Sequence, residues 1–98
     1  MAKEIAIYET DLSKKDEGSL IKMDVMIDAF KNAGITINIY NIWDNPELMT
    51  RVRPVEYALA QYGVEGMPIT VVGDEIFKKG AYPDYRELLL WSEKLDEK

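Results

Sequence analysis

Cysteine and histidine are both missing from these 98 residues. Without a thiolate or an imidazole the chain has no soft metal ligand, no thiol redox chemistry and no base for Ser-His or Cys-His nucleophilic catalysis. Enzymes of those kinds are excluded, and neither a catalytic residue nor a cofactor is expected. Long apolar runs are missing too. No stretch approaches the roughly 20 residues needed to cross a bilayer, and the opening Met1-Ala2-Lys3-Glu4 leads into no secretion core. The expectation is a soluble, cytoplasmic protein with no membrane insertion. Positive charge is scarce: 12 Lys and Arg stand against 18 Asp and Glu, a net charge of -6. A nucleic-acid binder normally shows a basic face, so charge argues against DNA as a partner. The basic pairs Lys14-Lys15, Lys78-Lys79 and Arg51 with Arg53 have acidic residues among or near them and read as solvated surface.

What is present reads as one domain over residues 1–98, ending in a charged tail at 93–98. Residues 4–8 form a first strand, in which Ala6 leaves open whether both faces are buried. Residues 9–18 are polar and turn-like. Ser19 can cap a helix whose Leu20, Met23, Met26, Ile27 and Phe30 recur at helical spacing before Gly34 ends it. Ile35, Ile37 and Ile39 then alternate with Thr36, Asn38 and Tyr40 as a second strand. A strand reached through a helix lies parallel to the first, with a right-handed crossover.

Asp44-Asn45-Pro46 opens the next helical stripe, which holds Leu48, Val52, Val55, Leu59 and Tyr62 in phase up to Gly63. Pro54 lies inside it, so the stripe should be two short helices, or one helix kinked at Val52–Arg53. Residues 69–72 and 75–78 are strands joined by Gly73-Asp74, a two-residue hairpin signal of type II′. Asp84 and Glu87 form a capping box for a last helix with Tyr85, Leu88, Leu89, Trp91 and Leu95 on or near its buried side. The order β-α-β-α-β-β-α defines an α/β, thioredoxin-like mixed four-stranded sheet flanked by helices. In that topology Pro68 follows Gly66-Met67 at the mouth of the third strand, where a ladder tolerates proline and where cis X-Pro bonds occur. Pro68 is therefore expected to be cis and to face the loop at residues 9–18.

Several segments together are similar to one family. Asn45-Pro46, the run from Gly63-Val64-Glu65 into Met67-Pro68-Ile69-Thr70, the Gly73-Asp74-Glu75-Ile76 hairpin and above all Gly80-Ala81-Tyr82-Pro83 resemble the arsenical-resistance metallochaperone and trans-acting repressor family, ArsD. The similarity spans Ile5 to about Trp91. It implies a thioredoxin-like fold, trivalent arsenic or antimony as ligand, delivery to an arsenite-efflux-type ATPase, a homodimer, and weak DNA-binding repression of an operon. The family holds arsenic through three cysteines in the loop after the first strand. Here that loop is Glu9-Thr10-Asp11-Leu12-Ser13-Lys14-Lys15-Asp16-Glu17-Gly18, so no metal site is carried over. Ala81 also stands where the family often has arginine.

The expected function is an ArsD-like, non-catalytic adaptor or regulator of the ATPase. Its alternatives are a transcriptional repressor responding to arsenic-containing substances, or a small-anion-binding module. The candidate ligand or partner loop is Ser13, Lys14 and Lys15 with Gly18 and Ser19, where backbone donors and the helix dipole favour an oxyanion. Asp11, Asp16 and Glu17 offer oxygen ligands to a hard cation but lack calcium-loop spacing. Trp43, Trp91, Met23 and Met26 read as core, and the six tyrosines as possible rim of a partner surface.

Overall fold

β1 (Glu4–Glu9) takes the centre of the sheet because both of its faces are apolar: Ile5 and Ile7 point one way, Ala6 and Tyr8 the other, and all four are buried. A computed structural model describes residues 4–10, 17–73 and 75–96. β1 is followed by α1 (Glu17–Asn32), β2 (Thr36–Asn41), α2 (Leu48–Arg51), α3 (Arg53–Tyr62), a 3-10 turn (Val64–Gly66), β3 (Ile69–Val72), β4 (Glu75–Lys79) and α4 (Tyr85–Asp96). The sheet order is β2-β1-β3-β4. β2 runs parallel to β1, β3 antiparallel to it, and β4 antiparallel to β3. This is the thioredoxin-like order expected from the sequence.

One face of the sheet gathers Ile5, Ile7, Ile37 and Val72 with Met23 and Phe30 of α1 and Leu88 of α4. The other gathers Ala6, Tyr8, Ile69 and Val71 with Val55 and Ala58 of α3 and with Ile42 and Met67. Each fully buried isoleucine contributes about 1.5–3 kcal/mol relative to exposure, so the two layers together hold the sheet.

The proline at 54 divides the second helical stripe as expected. Val52 is extended (φ -102°, ψ 108°) between α2 and α3, and Pro54 falls in the first turn of α3, where its missing N–H has no helical acceptor to lose. The Met67–Pro68 bond is cis. The capping box is formed: Glu87 N–H donates to Asp84 Oδ1 at 2.8 Å, and Asp84 N–H donates to Glu87 Oε1 at 3.0 Å.

Several details differ from the sequence reading. Trp43, read as core, follows β2 on the outside and is 40% exposed. α1 (Glu17–Asn32) already includes Gly18 and Ser19, so Ser19 lies within the helix and is not its cap. In α4, Ser92 is buried while Tyr85 and Leu89 are exposed, because the leucine run 88–90 fits more than one helical phase. α4 also continues to Asp96, into the charged tail.

Candidate functional site

At the carboxyl end of β1 three separate segments converge. β1 extends one residue beyond its expected end, so Glu9, read from the sequence as the start of the polar loop, is in the strand and only 4% exposed. A buried carboxylate is tolerated only with hydrogen-bond partners. Tyr82 supplies one: its hydroxyl donates to Glu9 Oε1 at 2.5 Å across 73 residues of sequence. Burial first, then this hydrogen bond and the charge of Glu9, push the Tyr82 phenol well above the usual tyrosine range. Tyr82 is therefore a neutral donor throughout the physiological range.

The second segment is the turn Gly66-Met67-Pro68, and the third is Gly80-Ala81-Tyr82-Pro83. They are tied together by Gly80, whose N–H is shared between the carbonyls of Gly66 at 2.9 Å and Pro68 at 3.0 Å. Gly80 has φ +81°, a conformation that side-chain-bearing residues rarely adopt. Gly66 is required for another reason: a Cβ there would stand 2.5 Å from Tyr62 Cβ. Pro68 itself is buried at the mouth of β3. Thr70, on the same sheet face as Ile7 and Glu9, is fully buried, and its hydroxyl has no hydrogen-bond partner among the described residues.

Beside this junction lies a groove of about 500 Å³, lined by Lys22, Met23, Val25 and Met26 of α1 and by residues 82–85. It is predominantly apolar. Val25 and Tyr85, on its two sides, are each more than half exposed, and the Tyr85 ring lies 5.5 Å from that of Phe30. Across the β4–α4 connection, Lys78 Nζ pairs with Glu87 at 2.6 Å. Since Glu87 also closes the capping box, one carboxylate fixes both ends of the segment that carries Tyr82.

Of the residues singled out from the sequence, Pro68 stands in this junction. Ser13, Lys14 and Lys15, with Asp11 and Asp16, lie outside the described residues, and Gly18 and Ser19 belong to α1. No group of three acidic side chains able to hold a metal occurs among the described residues, and no described helix is long and apolar enough to cross a membrane. Sequence reading missed Glu9 as a buried partner of Tyr82. The only trace was a carboxylate adjoining an apolar strand and a tyrosine inside a Gly-to-Pro motif.

The arrangement has structural and docking chemistry: a buried carboxylate–phenol bond, a glycine-bridged cis-proline turn and an apolar groove. Comparison with known proteins agrees with the motifs that meet here. No curated protein matches the chain. A crystal structure of an arsenical resistance operon trans-acting repressor from Bacteroides vulgatus ATCC 8482 matches with a TM-score of 0.78 at 24% identity, covering 93% of this chain and 92% of that one. The family described as arsenical resistance operon protein ArsD matches residues 3–98. The chain belongs to the ArsD family.

Proposed function

We propose that this chain is a non-catalytic, cytoplasmic ArsD-family protein that docks on an arsenite-efflux-type ATPase as an adaptor or regulator and does not carry the metalloid. The observation behind this reading is a family match over residues 3–98 in a chain with no cysteine. Trivalent arsenic is soft and is held by thiolates; hydroxyl and carboxylate oxygens do not replace three sulfurs. What such a molecule retains is its protein surface. The groove between α1 and residues 82–85 adjoins the Gly80-Ala81-Tyr82-Pro83 motif and exposes Val25 and Tyr85, an aliphatic and an aromatic group suited to anchoring a protein partner.

The test is complex mass by size exclusion with light scattering, using the ATPase of the same organism with and without arsenite. The expected result is a complex that forms in both conditions and is lost in Val25→Asp. Failure to form a complex in either condition removes the adaptor function.

A second reading, a trans-acting repressor, is favoured by the likeness to the Bacteroides vulgatus trans-acting repressor. The net charge of -6 opposes it. A gel shift with the upstream DNA of its own operon decides: a salt-sensitive band supports repression, and its absence eliminates it.

A further inference from the structure

The groove between α1 and residues 82–85 has its polar groups engaged elsewhere. The Tyr82 hydroxyl turns to Glu9 at 2.5 Å, which leaves the ring to serve as wall. Asp84 Oδ1 accepts the Glu87 N–H at 2.8 Å in the capping box of α4. On the α1 side Met23 is buried and Met26 half-buried, two unbranched thioethers that adapt to irregular shapes and make favourable contacts with aromatic rings. Tyr85 adds an exposed ring on the other side, 5.5 Å from that of Phe30.

One charged group at the groove is left unused. Lys22 is exposed, and its ammonium has neither an ion pair nor a hydrogen bond among the described residues. Its neighbours one turn away on α1 are Gly18, Ser19, Val25 and Met26, none of them acidic. A lysine stem lies along apolar surface while the charged head stays at its edge. In a chain of net charge -6, an unpaired ammonium at the rim of an apolar groove complements one kind of guest, a hydrocarbon body with an anionic head. The volume of about 500 Å³ suits a small molecule, since such sites run from about 300 to 1,000 Å³ and join mostly apolar walls to a few polar groups.

We propose that this groove binds a small aromatic anion, a carboxylate or its sulfonate analogue, with the rings held between α1 and residues 82–85 and the anionic head on Lys22. The rings meet Met23, Met26 and Tyr85, and the head meets the one basic side chain that lines the groove. Guest and ATPase share these walls, so each excludes the other. The binding itself is a property of the chain alone, and a missing ATPase complex leaves it standing.

Two fluorescent probes separate the parts of the proposal. Anilinonaphthalene sulfonate carries aromatic rings and an anionic head, and phenylnaphthylamine carries the same rings without the head. Titration of the isolated chain is expected to show saturable binding of both. Lys22→Gln should weaken the sulfonate about fivefold and leave the amine within about twofold of its original affinity, and added salt should weaken the sulfonate relative to the amine. Val25→Asp, at an exposed position of α1, should weaken both probes. Methyl NMR of the methionines places the guest: the signals of Met23 and Met26 should move, while those of Met49 and Met67, which belong to the opposite face of the sheet, should stay. No saturable binding of the sulfonate, a Lys22→Gln effect that is equal for the two probes, or methyl shifts confined to Met49 and Met67 would overturn the proposal.

Discussion

The two carboxylates of β1, Glu4 and Glu9, sit at opposite ends of the strand and on opposite faces of the sheet, and they bind very different things. Glu4 is half-buried and holds Asn38 and Tyr40, its neighbours on the adjacent strand. Tyr40 in turn stacks on Tyr8, with ring centroids 5.3 Å apart. Glu9 is buried and holds Tyr82, from the connection between β4 and α4. The amino end therefore stitches an edge strand to its neighbour, a local job that water can partly share. The carboxyl end clamps a remote segment whose backbone also meets the cis-proline turn through Gly80. Ligand and partner sites in α/β sheets lie beyond the carboxyl ends of parallel strands, and at this end one side chain of β1 holds a segment 73 residues away, against 34 and 36 residues for the partners of Glu4.

The sharpest way to break the comparison is to delete each carboxylate. Glu9→Ala should destabilise the fold by about 3 kcal/mol, because it leaves a buried phenol without its acceptor, whereas Glu4→Ala should cost about 1 kcal/mol or less, water replacing the lost acceptor. Urea unfolding of the two variants measures the difference, and equal losses would erase the distinction. Removing only the donor gives a smaller contrast of the same sign. Tyr82→Phe should lose about 1.5 kcal/mol and Tyr40→Phe about 0.5 kcal/mol.

Thr70 sharpens the same contrast from another side. Its hydroxyl is buried without a partner among the described residues, so Thr70→Val, of nearly the same shape, should gain about 1 kcal/mol in the same assay. A loss would mean that the hydroxyl is satisfied, for example by water. The smallest effect concerns pH. Tyr8, Tyr40 and Tyr82 are all raised above the usual tyrosine value, each first by burial and then through Glu4 or Glu9. A proton held more tightly in the folded state gives stability that is complete below the unfolded value of about 10 and is lost as pH rises through the folded value. Stability should thus decline above about pH 10, and less steeply in Tyr82→Phe. Absorbance titration should show the three phenols ionising above the usual tyrosine value of about 10.

Much of the fold was legible because its signals are local. The break before Pro54, the Asp84–Glu87 capping box, the Gly73 hairpin and the turn into Pro68 each depend on residues within a few positions of one another. The burial of Glu9 was not legible, since it depends on a tyrosine 73 residues away and an isolated strand-end glutamate reads as loop. The exposed side of α4 was also hidden. Three consecutive leucines at 88–90 are compatible with several faces, and only packing against α1 and the sheet selects Leu88 over Leu89 and Leu90. The family motifs indicated which segments matter, but their meeting point emerged from the sheet: Gly80 donating to both Gly66 and Pro68 is a tertiary contact that no spacing encodes.

The central claim is that the carboxyl end of β1 serves a protein partner without a metalloid. Calorimetric titration of this chain into the arsenite-efflux-type ATPase, with and without arsenite, tests it most directly. The account predicts the same Kd within about twofold in both conditions. A Kd about tenfold tighter with arsenite, a difference of about 1.4 kcal/mol, would contradict it.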